Sequence, residues 1–262
     1  MKGQQLISDP QARALRTAEK RDRVLAWLAD EGFSIAPVLS QALGYSTRSI
    51  QAVLTTLRRL ETEGYISRHE MALPARRPLV LWGLTPHGAV MATDPAAERD
   101  VRHFDPGRVS LITIQHALDV QQARIRAEQY GWTGWRGTRS AADFAREGQF
   151  KDERGNVQTG WPKVPDALGR DPGGALVAIE IERRAKTPKR YREIIAHYLM
   201  LAAQRQVERV DYVCPDERVA SRLAGIWKRT ESVRIGVKTY PLTDSHRATF
   251  TFSALDEWPK RS

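Results

Sequence analysis

The sequence predicts an α/β protein, α+β overall, in which a small module of three helices and a β-hairpin precedes a larger domain with a mixed sheet. Glycines end two helical patterns early in the chain, and an apolar strand follows later in the same module. After residue 110 the predicted order is helix, several strands, helix, strand, helix. The predicted bounds are a helix at 110–130, strands near 161–168 and at 175–182, a helix at 188–206, a strand at 209–214 and a helix at 217–228. A polar, aperiodic stretch with Asp-Pro pairs separates the two parts, so we predict domains at 1–95 and 110–262 and a linker at 96–109.

The charge balance of the 262-residue chain is basic, with 41 Lys and Arg against 31 Asp and Glu and a formal net charge of +10. This surplus favours a polyanionic partner, because neutralising phosphates releases condensed counterions. An anionic membrane surface offers the same attraction, but no apolar run reaches the roughly 20 residues that span a bilayer. The N-terminal residues lack the apolar core of a signal peptide and Cys214 is the single cysteine, so we expect a cytoplasmic protein without membrane contact.

Three helices are predicted in the first domain. Residues 17–31 have apolar side chains on one helical stripe, and Gly32 ends that helix. A short second helix covers 36–43, and Gly44 closes it in the manner of a C-terminal glycine. Ser46 is a good N-cap for a third helix, whose apolar residues then recur at core spacing.

A β-hairpin follows the third helix. The segment Leu60-Glu-Thr-Glu-Gly-Tyr-Ile66 resembles the helix-to-wing junction of many bacterial winged-helix regulators. It leads through a tip rich in Pro and Arg to an apolar strand at Leu79–Leu84. Three helices and a hairpin in this order predict a winged helix-turn-helix domain.

The winged-helix layout assigns DNA contacts, because the N-terminal residues of its third helix reach base edges in the major groove. Arg48 can pair with a guanine and Gln51 with an adenine. A protein-binding winged helix with a solvated basic face is the alternative, but the basic balance favours double-stranded DNA. The oligomeric state stays open, and a dimer is compatible with the sequence. The predicted contacts are Ser46, Thr47, Arg48 and Gln51 on the helix and Arg76 and Arg77 at the wing tip.

Two carboxylates lie on one face of a predicted strand in the second domain. In residues 176–182, branched apolar side chains alternate with Ala178, Glu180 and Glu182, so both carboxylates project from the same face. A glycine-rich turn returns this strand beside the one that carries Asp166. The three carboxylates can then converge, and such oxygen-rich groups bind Mg²⁺ or Mn²⁺. An ion of this kind activates water and stabilises the leaving oxyanion in phosphodiester cleavage.

A simpler interpretation of the same residues is structural. Alternation also occurs in a half-exposed edge strand, where Glu180 and Glu182 form the solvated face and Asp166 flanks a turn. His116, on the helix predicted at 110–130, is then a hydrogen-bonded core or boundary histidine. The sequence leaves both interpretations open.

Pro165-Asp166 followed by Glu180 resembles the motif of the PD-(D/E)xK restriction-endonuclease-like superfamily. Together with the upstream winged helix, it resembles the plasmid replication-relaxation family, whose relatives include nuclease-type relaxases of mobilisation systems. The resemblance covers about residues 18–230 and includes Leu84-Thr-Pro-His-Gly88 after the wing. It implies a magnesium- or manganese-dependent DNA-nicking endonuclease with relaxosome proteins as partners. The site residues it implies are the carboxylates Asp166 and Glu180, with His116 as a candidate member. Glu182 joins them as a predicted metal ligand because it lies on the same face of the strand as Glu180.

One position departs from the superfamily pattern. Glu182 occupies the usual lysine position, so the positive charge has to come from elsewhere, and we assign it to Lys186. The segment from Arg183 to Arg192 holds six basic residues and no acid. We interpret it as a rim that grips DNA phosphates; a solvated charge run is the alternative. The basic residues close by in sequence are Lys163, Arg183, Lys186, Lys189 and Arg190, of which Arg183, Lys189 and Arg190 are the predicted DNA contacts.

The rival function is non-enzymatic. The six histidines include no His-x-His pair, which argues against relaxase chemistry in which a histidine-bound metal serves a nucleophilic tyrosine. A Gly-x-x-x-x-Gly-Lys loop for nucleotide hydrolysis is also missing. The alternative to a nickase is a sequence-specific DNA-binding regulator, or a relaxosome accessory factor, with a degenerate nuclease fold. Metal-dependent nicking distinguishes the two.

Overall fold

A computed structural model describes residues 9–45, 50–73, 77–93 and 101–259 of the chain. Contacts divide it into two compact units, 1–110 and 111–262. Helices and strands are combined in both units, which confirms the predicted α+β class. Of the helices in the described ranges, none combines the length and the apolarity that crossing a membrane requires.

The first unit has the predicted order of three helices and a hairpin, with a fourth helix after them. A three-stranded antiparallel sheet has the order β1-β3-β2. The helices are α1 Pro10–Glu31, α2 Ala36–Ala42, α3 Ile50–Thr62 and α4 Pro86–Ala92, and the strands are β1 Phe33–Ser34, β2 Ile66–Met71 and β3 Leu79–Leu84.

Helix α1 is longer than its apolar stripe predicted. It begins at Pro10, where Asp9 accepts a hydrogen bond from the backbone N–H of Gln11, a capped start that the search for apolar spacing missed. It ends at Gly32, which has a φ of 83° and donates its N–H to Leu28. Buried apolar residues of α1 and α3 form the core of this unit with those of β3: Val24, Leu25, Leu28, Val53, Leu57, Leu60, Leu81 and Leu84.

Hydrogen bonds of Thr85, between β3 and α4, connect the start of α4 to the start of the hairpin. The hydroxyl of Thr85 donates to the carbonyl of Gly64 at 2.6 Å and accepts the N–H of Gly88 at 3.0 Å. A Cβ on Gly88 would lie 1.8 Å from the carbonyl oxygen of Tyr65, so only glycine fits there. Phe104, inside the predicted linker, is buried in this unit and donates its N–H to the carbonyl of Leu84 at 2.8 Å.

The second unit is built on a five-stranded mixed sheet of order β12-β9-β8-β7-β4. Strands β12, β9 and β8 run parallel, and β7 and β4 continue the sheet antiparallel. The helices are α5 Leu111–Gln129, α6 Thr138–Glu147, α7 Pro188–Ala203, α8 Glu217–Lys228 and α9 Asp244–Ala248. The strands are β4 Thr133–Arg136, β5 Gln149–Lys151, β6 Val157–Thr159, β7 Ala167–Arg170, β8 Leu176–Ile181, β9 Arg209–Cys214, β10 Ser232–Ile235, β11 Lys238–Pro241 and β12 Phe250–Ala254.

Strand β8 is the central strand of the sheet, and both of its faces are covered. Val177 and Ile179 pack into one core with residues of α5, whereas Ala178 packs into another with residues of α7 and α8. The edge-strand interpretation of Glu180 and Glu182 is therefore wrong, because β7 and β9 flank the strand and both carboxylates are buried.

The strand expected near residues 161–168 is shorter and begins at Ala167. Pro162 and Pro165 have no N–H to donate to a ladder, which accounts for the irregular approach to β7.

Candidate functional site

Asp166 and Glu180 lie close together, the first directly before β7 and the second near the end of β8. Ala167 pairs with Ile179 in the antiparallel register of β7 and β8, and Asp166 and Glu180 are the next residues beyond that pair on the two sides. The N–H of Asp166 donates to the carbonyl of Ile179 at 3.1 Å, and the N–H of Ile181 donates to Oδ2 of Asp166 at 2.8 Å. Strand pairing therefore brings together the first two predicted carboxylates.

His116 lies beside Asp166, with 3.2 Å between its Nε2 and Oδ1 of the carboxylate. This hydrogen bond raises the pKa of His116 above its ordinary value. Burial by itself raises the pKa of Asp166, but the hydrogen bond and charge of His116 and the charge of Lys163 bring it below its ordinary value. One helical turn after His116, Asp119 forms an ion pair with Arg183. Helix α5 therefore contributes two side chains, His116 and Asp119, to the end of the sheet that carries Asp166 and Arg183.

Glu180 is held by two groups on one oxygen. The Nζ of Lys163 lies 2.7 Å from Oε1 of Glu180, and the hydroxyl of Tyr198 on α7 donates to the same Oε1. Burial and the charge of Asp166 raise the pKa of Glu180 to about 7, against the opposing effect of Lys163 and Tyr198. Lys163 therefore contacts Glu180, while His116 contacts Asp166.

Glu182 has a separate set of partners. Its Oε2 forms an ion pair with Lys186 four residues on, and the backbone N–H of Lys186 donates to the hydroxyl of Tyr191 at 3.0 Å. Lys186, the lysine assigned from the sequence, thus neutralises Glu182, while Lys163 contacts Glu180.

The chemistry of the donor set fits a hard divalent cation. In the described parts of the chain, no three His, Cys, Asp or Glu side chains form a group that could hold a metal ion by themselves. Mg²⁺, however, keeps several waters and is commonly bound through one or two carboxylates together with substrate phosphates. The neighbouring carboxylates of Asp166 and Glu180 provide two such groups.

Sequence reasoning missed Tyr198 and placed Lys163 only among the nearby basic residues. The sequence contains a signal for Tyr198: it lies on the buried face of α7, where a tyrosine hydroxyl needs a hydrogen-bond partner. The sequence contains no such signal for Lys163, because the irregular loop before β7 has no periodicity that would indicate where the lysine side chain points.

The predicted phosphate-gripping rim is only partly free to bind phosphate. Arg183 is engaged by Asp119, and Arg190 lies 3.0 Å from Glu193. Other basic side chains of the run are exposed and have no ion pair within the described ranges: Arg184, Lys189 and Arg192.

Two of the DNA contacts predicted in the first unit are described, and both residues are exposed. Gln51 lies in the first turn of α3, and Arg77 precedes β3. The other predicted contacts, Ser46, Thr47, Arg48 and Arg76, lie outside the described residues.

Comparison with known proteins gives matches to one solved structure and one family. A double mutant of Lactococcus lactis ZitR in its apo form is 23% identical to the aligned region, which covers 31% of this chain and 58% of that one. Its TM-score is 0.24, too low to establish a common fold. No curated protein sequence gives a significant match. The replication-relaxation profile matches residues 25–216, which is most of the chain and includes Lys163, Asp166 and Glu180. The protein therefore belongs to the replication-relaxation family.

Proposed function

We propose that the protein is a DNA-binding endonuclease of plasmid replication or mobilisation that nicks DNA with the help of Mg²⁺ or Mn²⁺. The observation that carries the proposal is the proximity of Asp166 and Glu180, with Lys163 2.7 Å from Glu180. Family membership supports the connection with replication and mobilisation.

Asp166 and Glu180 are the residues proposed to hold the ion. A bound Mg²⁺ or Mn²⁺ supplies Lewis-acid activation of water and neutralises charge on the scissile phosphate. His116 and the N–H of Ile181 each bind one oxygen of Asp166, so the carboxylate is fixed in orientation before any ligand arrives. Such outer partners orient ligand carboxylates and tune their affinity.

Lys163 is proposed to supply the positive charge that the superfamily takes from the position of Glu182. Its side chain is about one-fifth exposed, so the ammonium is accessible from solvent while it contacts the buried Glu180. An ammonium placed there can stabilise the negative charge that develops on a phosphate during cleavage. Lys186 neutralises Glu182, so its role is to support the end of β8.

DNA binding is proposed for both units. In the second, the exposed cations Arg184, Lys189 and Arg192 carry no ion pair within the described ranges and are suited to phosphate contact. In the first, Gln51 and Arg77 are exposed at the positions predicted for base and backbone contact.

The nuclease proposal is tested on supercoiled plasmid carrying the cognate origin, with Mg²⁺, Mn²⁺ or EDTA. The wild-type chain is expected to convert it to the nicked form only with metal. Glu180→Gln should abolish conversion and retain DNA binding, because the substitution removes a metal ligand and leaves the basic surface unchanged. Glu193→Gln is the control, since that exposed acid of α7 pairs with Arg190 and not with the site. Equal nicking by Glu180→Gln and wild type contradicts the proposal.

A second candidate function is a DNA-binding regulator or relaxosome accessory factor that does not cleave. The observation that favours it is the pairing of each carboxylate with a protein base: Asp166 with His116, Glu180 with Lys163, and Glu182 with Lys186. Such a network is complete without a metal. Calorimetry with millimolar Mn²⁺, with and without DNA, separates the two functions, because the regulator is expected to give no binding heat.

A further inference from the structure

Tyr198 is completely buried on α7 directly against Glu180. Its hydroxyl donates to Oε1 of Glu180, and the ammonium of Lys163 lies 5.9 Å from the centre of its ring. Burial, reinforced by the charge of Glu180, raises the pKa of Tyr198 well above its ordinary value. A tyrosine hydroxyl is protonated at neutral pH, so it is the donor of this hydrogen bond and Oε1 is the acceptor.

The two oxygens of Glu180 differ in their surroundings. Oε1 receives both the hydroxyl of Tyr198 and the ammonium of Lys163. Within the described ranges no side-chain or backbone group donates to Oε2, and the Glu180 side chain keeps an exposed fraction of 5%. Two donors on one oxygen restrict rotation of the carboxylate and fix the direction in which the other oxygen points.

We infer that Tyr198 is a positioning residue that reserves Oε1 of Glu180 for the protein and presents Oε2 as the single oxygen that binds a divalent cation. This inference rests on the metal-dependent function proposed above and adds to it the manner in which Glu180 coordinates. Tyr198 itself touches neither the cation nor DNA. Its contribution is to restrict the rotation of the Glu180 carboxylate, so that less conformational freedom is lost when the cation binds.

The full-length chain provides a matched pair of variants. Tyr198→Phe removes the hydroxyl that binds Oε1. Tyr212→Phe removes another buried hydroxyl from β9, opposite Glu180 in the sheet, and that hydroxyl has no hydrogen-bond partner within the described ranges. Both substitutions keep an aromatic ring in the same core.

The test is calorimetric titration of both variants and the wild type with Mn²⁺. Tyr198→Phe is expected to weaken Mn²⁺ binding by about 10- to 100-fold, the usual effect of losing a partner of a metal ligand. Tyr212→Phe should bind Mn²⁺ like the wild type. Thermal melting of the metal-free proteins serves as the fold control. If Tyr198→Phe does not fold, Tyr198→Met replaces the ring with a flexible apolar side chain and carries the same expectation.

Nicking kinetics add a second readout that a purely structural role would not reproduce. The Mn²⁺ concentration for half-maximal nicking should rise in Tyr198→Phe, while the rate at saturating Mn²⁺ returns close to that of the wild type. A folded Tyr198→Phe that binds Mn²⁺ as tightly as the wild type overturns the role of Tyr198 and leaves the nuclease proposal intact. A wild type that binds no Mn²⁺ overturns both.

Discussion

Lys163 and Glu180 meet at 2.7 Å, although one lies in the irregular loop before β7 and the other near the end of the central strand. The ammonium lowers the pKa of the carboxyl group, but burial and the charge of Asp166 outweigh it, so the pKa of Glu180 is raised to about 7. The pair therefore joins a partly exposed cation to an acid that is only partly ionised at neutral pH. Substituting Lys163 and Glu180 one at a time separates the contribution of the cation from that of the acid.

Replacing Lys163 is expected to affect cleavage more than replacing Lys186. Lys163→Gln removes the cation beside Asp166 and Glu180, and nicking should fall by about 100-fold, as when one group that stabilises transition-state charge is lost. Lys186→Gln is the matched control, because Lys186 contacts Glu182 instead. Initial nicking rates at saturating Mn²⁺ measure both. A larger loss in Lys186→Gln would restore the assignment made from the sequence.

Glu180 should make the protein less stable as the pH rises from about 4.5 to 7. Its pKa is higher in the folded chain than in the unfolded chain, so the folded state binds more protons in that window. The stabilisation is complete below pH 4.5 and is lost as the pH passes through about 7, with a total of about 3 kcal/mol. Urea unfolding at several pH values measures it, with Glu193→Gln as control. Glu180→Gln should remove this component, and an unchanged pH profile would contradict it.

Substitution by alanine should lower the stability of the protein at Gly88 and raise it at Gly225. Gly88→Ala places a methyl group against the carbonyl of Tyr65 and should destabilise the first unit by about 3 kcal/mol. Gly225→Ala, in α8, meets only the flexible end of Arg229 and should stabilise the second unit by up to about 1 kcal/mol. Thermal unfolding of the two variants tests both signs. A neutral Gly88→Ala would show that α4 can move away from the hairpin.

Lys189 should contribute to the affinity for DNA equally for all DNA sequences. Lys189→Ala removes an exposed cation with no ion pair within the described ranges, so the slope of log affinity against log salt should decrease by about 1. Arg190→Ala is the comparison, since Arg190 is already paired with Glu193 and its loss should change the slope less. Fluorescence anisotropy with unrelated duplexes at several salt concentrations gives the slopes. Identical slopes for Lys189→Ala and wild type would remove Lys189 from the interface.

Local patterns in the sequence were sufficient where neighbouring residues decide the structure. The bounds of Leu79–Leu84, Arg209–Cys214 and Glu217–Lys228 agree with the predicted ones, because apolar alternation, helical spacing and a capping aspartate are local signals. The approach of Asp166 to Glu180 was also predictable, since a glycine-rich turn joins two consecutive strands.

Only the tertiary structure decided which partners these acids have. The central position of β8 depends on pairing with β9, a strand beyond the whole of α7, and that pairing converts an alternating strand from half-exposed to buried. Burial in turn requires a partner for Glu180, and the packing of α7 supplies Tyr198 while the loop before β7 supplies Lys163. The sequence by itself determined the elements and the carboxylates. Which lysine contacts Glu180 depends on contacts between distant segments, which no local pattern encodes: it is Lys163, whereas Lys186 contacts Glu182.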